Sequence, residues 1–350
     1  MRNFAISVDW LQLYCRNLNP ADILLSDLYS GYYKFELQEK STRQFSQLWY
    51  VYTENEDLYA ELQTNPYSSI IDKQGCILKI NNRELYKPNY INNLLLFMET
   101  HNIQHKCISR LDVCYDCNTF ITGQKPRRLI NSFLSKKILK NNQCAYTLQG
   151  SSKLINDYSY IRFGSRSSSV CSYMYDKTKE LREVKDKPYI RELWRINGID
   201  ENQEVWRIEI SIRADMQNLI CLENGDILRL SPDAITTQIQ VEDVFYTYAK
   251  QYFSFKINDG TKNKTRMKDL KLFNRLTEIT RKPMRITTAS DTTRSDKIFL
   301  NKIESVKVEL RDYDDVLSKA LETVRSEFCL QKSLSGYYNN IVLPKKRRRK

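Results

Sequence analysis

Residues 108–118 read ISRLDVCYDCN, and this stretch decides the fold class. At a spacing of two it divides into an apolar set, Leu111, Val113 and Tyr115, and a polar set, Arg110, Asp112, Cys114 and Asp116. Because successive side chains of a strand point to opposite faces, this spacing predicts a strand with one face in the core. The charged face is then either a solvated surface with cross-strand ion pairs or a functional site.

A second stretch, residues 6–17 (ISVDWLQLYCRN), is similar to the first in its apolar, acidic and cysteine content. Strand-like runs follow it at 31–37, 47–52 and 76–80, and then an amphipathic helix at 90–101. After residue 118 the pattern predicts a helix at 127–139 and strands at 158–163, 170–175 and 206–212. We therefore predict an α+β fold of antiparallel β-sheets with helices packed on one face. The order indicates an internal duplication, unless both stretches are simply buried strands.

The chain divides into four segments on these patterns. They are a strands-plus-helix unit at 1–105, a core at 106–232, a helical basic region at 233–335 and a flexible basic tail at 336–350. Helices are predicted at 241–253 and 316–328 within the third segment.

Positive charge is concentrated towards the end of the 350-residue chain. The net charge is +13, and the last six residues are all basic. Residues 256–285 hold ten basic and three acidic side chains. Such a run is either a solvated helix face or a surface that binds phosphates, and the strength of the bias favours nucleic acid.

The number and spacing of the histidines and cysteines argue against several kinds of site. With only His101 and His105 present, a multi-histidine zinc site is excluded, and we expect both to be solvated residues at a helix end. Cys114 and Cys117 should lie on opposite faces of their strand, which favours packed thiols over zinc. Nine cysteines, no apolar run of membrane length and no signal peptide predict reduced thiols and a cytoplasmic location without a membrane partner.

Two other stretches carry residues suited to phosphate chemistry. In residues 160–180 a turn containing Gly164 and Arg166 offers N–H groups and a guanidinium to a phosphate. The strand after it ends in YMYDK, and a tyrosine near carboxylates can attack a phosphate that a divalent metal polarises. Residues 206–213 (WRIEISIR) alternate apolar residues with a polar set, Arg207, Glu209, Ser211 and Arg213.

RLDVCYD (110–116), the G-x-R-x-S turn with YDKxxE (164–180), and WRIEISIR together resemble the replication initiation factor family. Its members are the Rep-trans rolling-circle plasmid replication initiators and related relaxases of conjugative elements. The resemblance covers about residues 105–285, with NKTRMKDLKLFNRLTEIT (263–280) similar to the region after the catalytic core.

The resemblance implies a metal-dependent, site-specific single-strand DNA endonuclease. A tyrosine forms a 5′-phosphotyrosyl link and leaves a free 3′-OH. The implied nucleophile is Tyr175, and the implied ligands of Mg²⁺ or Mn²⁺ are Glu209 and Asp112, with Asp116 next. Charge on the phosphorus would be neutralised by Lys177, Arg110, Arg207 and Arg213.

The implied partners are origin duplex and single strand, a host helicase and a second copy of the chain. Candidate DNA-binding residues are Arg166, Lys262, Lys264, Arg266, Lys268, Lys271 and Arg275. The terminal PKKRRRK fits a nuclear localisation pattern, but the resemblance favours a DNA-binding arm.

Some alternatives stay open. Tyr173 shares a strand face with Tyr175 and is a second candidate nucleophile, and Glu180 matches the motif without an assigned role. A relaxase of a conjugative element would use the same chemistry. A non-catalytic DNA-binding protein of the same fold is the alternative from another class.

Overall fold

The computed structural model describes residues 2–17, 33–68, 71–142, 144–150, 157–166, 168–213, 219–221, 227–273, 282–284 and 323. Except for Thr323, the predicted helix at 316–328 lies outside the described residues, as do the basic tail and Arg275.

Ten strands form one antiparallel sheet in the order β2-β3-β4-β5-β1-β6-β11-β10-β9-β8. These strands are β1 (Phe4–Asn17), β2 (Tyr33–Leu37), β3 (Phe45–Thr53), β4 (Leu58–Pro66), β5 (Gly75–Ile80), β6 (Ile103–Cys117), β8 (Tyr146–Gly150), β9 (Tyr158–Phe163), β10 (Val170–Asp176) and β11 (Trp206–Arg213). Two small sheets contain β7 (Ile138–Lys140) with β14 (Phe255–Ile257), and β12 (Leu219–Cys221) with β13 (Ile227–Arg229) and β15 (Lys282–Met284).

The strand order is repeated in the two halves of the large sheet. In the first half, strands β2 to β5 are neighbours in chain order, and β1 pairs with β5. In the second half, strands β8 to β11 are neighbours in chain order, and β6 pairs with β11. The two halves meet where β1 pairs with β6. The two halves of the large sheet therefore have the same strand order, and β6, which begins at Ile103, crosses the predicted boundary at residue 105.

Five α-helices are present in the described part of the chain. They are α1 (Tyr90–Thr100), α2 (Pro126–Leu134), α3 (Lys177–Glu183), α4 (Pro188–Ile196) and α5 (Gln238–Tyr252). None of the helices in this part is long and apolar enough to cross a membrane.

Most of the core lies on one face of the sheet. Apolar residues of α1, α2 and α5 pack there, among them Phe97, Ile130 and Phe245. The predicted α+β class with helices on one face is thus confirmed for these three. Two short helices, α3 and α4, cover one end of the other face, where Trp194 packs near Ala5 of β1.

Several local predictions differ from the structure. The helix predicted at 127–139 ends at Leu134, because Lys136 adopts a left-handed backbone (φ 58°) and Ile138–Lys140 pairs with β14 instead. His101, expected in solvent, is only 4% exposed and packs against Phe35 and Phe97. Helix α5 starts three residues early, at a capping box made by Thr237 and Gln240.

The described part of the basic stretch after α5 is irregular apart from the short strands β14 and β15 and one 3-10 turn at Lys264–Arg266, so the predicted helical character does not continue there. Leu272 belongs to the main core, and the Phe273 ring lies 4.9 Å from that of Tyr115. Lys264 donates to the Asn141 carbonyl (2.8 Å). The stretch is therefore anchored on the helix-covered face of the sheet. Its exposed basic residues are Lys262, Arg266, Lys268 and Lys271.

Candidate active site

A β-bulge at Asp9 shapes the centre of the free sheet face. In the β1–β6 ladder Val8 faces Val113 but Trp10 faces Asp112, so Asp9 has no partner in the ladder. The extra residue shifts the alternation of side chains. Val8 and Leu11 both lie in the core, which leaves Asp9 and Trp10 together on the opposite face.

Asp9, Cys114 and Glu209 form a compact cluster there. Their carboxylate and thiol ligand atoms all lie within 4.8 Å of one another. Glu209 sits directly opposite Cys114 in the β6–β11 register, and the bulge brings Asp9 to the same point. Cys117 lies in the core, so the two thiols of the CxxC sequence face opposite sides of the sheet.

Arg207 fixes Asp9 in place. Its Nη1 donates to Asp9 Oδ1 at 2.7 Å, and its Nε and Nη2 donate to the two oxygens of Asp116, also at 2.7 Å. The hydroxyl of Tyr86 donates to the same Asp9 oxygen at 2.6 Å. Asp116 also accepts from the indole of Trp194 at 2.7 Å. Most of the guanidinium donors of Arg207 are thus used within the protein.

Asn82, in the loop after β5, links α4 to the cluster. Its Nδ2 donates to the Asp9 backbone carbonyl at 2.6 Å. Its Oδ1 accepts from Lys187 Nζ (3.0 Å) and from the Tyr189 hydroxyl (2.7 Å). Asp9 is therefore held from the sheet, from the β5 loop and from the α4 region.

The two carboxylates of the cluster differ in acidity. Burial raises the pKa of Glu209 to about 8, and the negative charges of Asp112 and Asp9 add to the effect. Burial also opposes ionisation of Asp9, but the charges of Arg207 and Lys177 outweigh it and hold the pKa of Asp9 well below its usual range. The site thus combines one firmly ionised carboxylate with one that holds its proton more strongly.

Tyr175 is bonded directly to this cluster. Its hydroxyl donates to Glu209 Oε2 at 2.9 Å. Burial, together with the charge of Glu209, raises the pKa of Tyr175 well above its ordinary value. Lys177, buried at the start of α3, forms an ion pair with Glu180 and places its Nζ 5.6 Å from the centre of the Tyr175 ring.

Tyr173 shares the face but has a different partner. It lies opposite Glu209 in the β10–β11 register. Its hydroxyl accepts from Cys171 Sγ at 3.0 Å, and burial raises its pKa. The hydroxyl hydrogen-bonded to Glu209 is that of Tyr175.

The other two predicted ligands lie near the cluster but are paired. Asp112, 2% exposed, accepts from Arg110 Nε at 3.0 Å, and Arg110 in turn stacks on Trp10 at 4.2 Å. Asp116 is held by Arg207 and Trp194. Of the three predicted ligands, only Glu209 lies in the cluster itself.

Arg213 and Arg166 lie on the same side of the sheet without described salt bridges. Arg213 faces Arg110 across the β6–β11 pair. Arg166 is exposed in the turn after Gly164, whose φ of 92° suits glycine. The amides of Gly164 and Ser165 donate to the Ala145 carbonyl and the Ser168 hydroxyl, so these two predicted phosphate donors are already used within the protein.

Among solved structures, the fold is similar to that of a rolling circle replication initiator protein from Geobacillus stearothermophilus. The match has a TM-score of 0.46 and 14% sequence identity, and it covers 76% of this chain and 92% of that chain. No protein-family model matches the sequence, and no curated protein matches it. At this identity the similarity assigns no role to any residue of this chain.

Sequence patterns did not identify Asp9, Tyr86 or Asn82 as site residues. One signal for Asp9 was present: Val8 and Leu11 are both apolar, which breaks the period of two in the first strand and indicates a bulge between them. Tyr86 and Asn82 lie in a loop, and no periodicity marks them.

Proposed function

We propose that the protein is a rolling-circle replication initiator that nicks one DNA strand at an origin. The observation that carries the proposal is the 2.9 Å hydrogen bond from the Tyr175 hydroxyl to Glu209, a member of the Asp9–Cys114–Glu209 cluster. This hydrogen bond places the candidate nucleophile, Tyr175, in direct contact with a candidate metal ligand, Glu209.

The donor set fits a divalent cation. Asp9 and Glu209 supply carboxylate oxygens within 4.8 Å of each other, and hard cations such as Mg²⁺ and Mn²⁺ prefer such ligands. Asp112 is close enough to raise the pKa of Glu209 and is the next candidate ligand. Cys114 is a softer donor than Mg²⁺ prefers, and it favours Mn²⁺ of the two. When bound, the cation would polarise the scissile phosphate.

The chain's own residues would then perform the transfer. The Tyr175 oxygen attacks phosphorus, a P–O bond to the tyrosine forms and the bond to the 3′ oxygen breaks. Glu209, in its ionised form, is the nearest acceptor for the tyrosine proton. The proton taken by Glu209 then passes to the departing 3′ oxygen, so the products are a 5′-phosphotyrosyl link and a free 3′-OH.

The basic residues divide into two groups in this scheme. Arg207, whose side chain is 0% exposed, orients Asp9 and acts as a positioning residue. Arg110 and Arg213 are partly exposed and would neutralise charge on the phosphate, and Lys177, buried beside the Tyr175 ring, would add its positive charge to the site. Glu180 would hold Lys177 through its ion pair.

Duplex recognition is proposed for the exposed basic residues outside the cluster. Arg166, in the turn after β9, is proposed to bind the single strand, and the proposed duplex-binding residues are Lys262, Arg266, Lys268 and Lys271. The last four lie on the segment anchored to the helix-covered face, so duplex and single strand would contact different sides of the protein. Lys264, also predicted for DNA, is partly engaged by the Asn141 carbonyl.

The test is nicking of a supercoiled plasmid that carries the origin of the replicon encoding this chain, with Mn²⁺ present. Wild-type protein should give nicked circles with protein on the 5′ end, and Tyr175→Phe should give none. Normal nicking by Tyr175→Phe, or a 3′-linked adduct, would overturn the proposal. A relaxase would show the same chemistry at a transfer origin.

A further inference from the structure

We infer that the nicked single strand lies across only one half of the free sheet face, with Tyr160 stacking on a nucleobase and Arg162, Arg166 and Arg213 binding phosphates. This binding site, the β9–β11 surface, is defined by Tyr160, Arg162, Arg166, Tyr173 and Arg213. The inference rests on the proposed function, and it adds which residues hold the strand and that they hold it on one side of the nick only.

Tyr160 is placed beside the reacting group. It faces Tyr175 in the β9–β10 register, with ring centres 6.5 Å apart. The Tyr173 ring lies 6.3 Å from the Tyr160 ring. An aromatic ring next to the nucleophile offers a stacking platform for a base adjoining the scissile phosphate.

The cations of this surface lack carboxylate partners. Among the described residues, no salt bridge includes Arg162, Arg166 or Arg213, although Arg162 Nη2 donates to Thr147 Oγ1 at 2.9 Å. The Nε atoms of Arg162 and Arg213 are buried and have no hydrogen-bond partner in that part of the chain, so only the outer nitrogens of these guanidinium groups could reach a ligand. Guanidinium groups without a carboxylate partner are suited to binding phosphate oxygens.

Arg213 gives the clearest sign of an anion site. It lies directly opposite Arg110 in the β6–β11 pair, and like charges in that position are destabilising. Arg110 is neutralised by Asp112, whereas Arg213 forms no ion pair within the described residues. A phosphate of the bound strand would supply the missing negative charge.

The equivalent surface of the first half is built differently, although the strand order is the same. Lys79 of β5 forms an ion pair with Glu61 of β4 at 2.8 Å. Trp10 already contacts two cations, Lys79 at 4.5 Å and Arg110 at 4.2 Å. Tyr50 of β3 faces Glu61 and Glu36 across its two strand pairs. Charges here are internally balanced, so this half offers a strand little electrostatic attraction.

The repeat supplies matched controls for the experiment. Binding is measured by fluorescence anisotropy with single-stranded oligonucleotides of the origin sequence, complete or truncated on either side of the nick, in a Tyr175→Phe background that prevents cleavage. The variants are Tyr160→Ala, Arg162→Ala and Arg213→Ala. The first-half controls are Tyr50→Ala and Lys79→Ala, and Tyr160→Phe preserves the ring.

Tyr160→Ala should weaken binding about 5- to 100-fold, while Tyr160→Phe and both first-half controls change it less than about twofold. Each arginine variant should reduce the salt dependence by about 0.7 in slope. With oligonucleotides truncated on one side of the nick, the variants should bind as well as the unsubstituted protein. With oligonucleotides truncated on the other side, the loss of affinity should persist.

Equal losses from Tyr50→Ala and Lys79→Ala, or unchanged binding by Tyr160→Ala, would overturn the inference. Unchanged thermal unfolding of the variants separates lost contacts from lost folding. The binding measurement needs no cleavage, so a failure of this inference can be distinguished from a failure of the nicking proposal. Nicking by Tyr175→Phe would refute the latter without changing the binding result.

Discussion

The carboxylate of Asp9 accepts a 2.7 Å hydrogen bond from Arg207, a residue 198 positions later in the chain. The bond crosses from β1 of the first half of the sheet to β11 of the second. Asp116 of β6 lies between them and holds the other edge of the same guanidinium. The candidate site therefore depends on both halves of the duplicated sheet.

Breaking this buried ion pair should destabilise the fold. Arg207→Leu removes a fully buried guanidinium and leaves Asp9 and Asp116 without their main partner, which costs about 3–5 kcal/mol. Urea unfolding followed by circular dichroism measures the change. Arg83→Ala is the control, because the Arg83–Asp57 pair is largely exposed and its loss should cost under about 1 kcal/mol. Equal effects of the two substitutions would contradict the assigned role of Arg207.

Asp9→Asn should weaken cation binding, and the protein should still fold, at reduced stability, because Arg207 keeps its ion pair with Asp116. The amide keeps the shape of the side chain but not its charge, so affinity for Mn²⁺ should fall at least about tenfold. Isothermal titration calorimetry measures it. Glu61→Gln, which alters a carboxylate paired with Lys79 on the other half of the sheet, should have no effect. Unchanged Mn²⁺ affinity in Asp9→Asn would place the cation elsewhere.

Cys114 should bind a thiophilic cation if the cluster is a metal centre. Cd²⁺ favours thiolate ligands, so its addition should produce a thiolate-to-metal absorption band in the ultraviolet. The band should vanish in Cys114→Ser. It should survive in Cys117→Ser, whose thiol lies in the core on the opposite face. Loss of the band in Cys117→Ser alone would contradict the geometry.

Tyr173→Phe should nick at close to the wild-type rate. Its hydroxyl accepts a hydrogen bond from Cys171 and makes none to Glu209. Single-turnover nicking with Mn²⁺ should therefore change less than about threefold, whereas Tyr175→Phe should lose activity. A complete loss in Tyr173→Phe would point to a shared or reversed role for the two tyrosines.

Much of the fold follows from local patterns. The alternation of Leu111 and Val113 with Asp112 and Cys114 predicted a half-buried strand, and β6 contains it, although residues 111–117 are buried on both faces because side chains such as Arg207 and Trp194 cover the polar one. The same reasoning identified the strands that carry Tyr175 and Glu209. Period-two patterns succeed here because the core face of each strand is continuous.

The remaining features of the fold and the site depend on local irregularities and long-range contacts that a periodic sequence pattern does not indicate. A one-residue bulge brings Asp9 into the cluster, and long-range pairing turns Asp116 towards Arg207 rather than Glu209. Helices α3 and α4 were not predicted because their apolar stripes are short and rich in charge. His101 is buried because residues from β2 and α1 enclose it, a tertiary effect that its polar sequence neighbours do not indicate.

The central claim is tested most directly by locating the covalent bond. After reaction with an origin oligonucleotide and Mn²⁺, the adduct is digested with nuclease and trypsin, and the modified peptide is fragmented in a mass spectrometer. Tyr173 and Tyr175 fall in one tryptic peptide, so the fragment ions separate them. The account predicts a 5′-nucleotide phosphate on Tyr175. A phosphate on Tyr173, a 3′-linked nucleotide or no adduct from a nicking-competent preparation would contradict it.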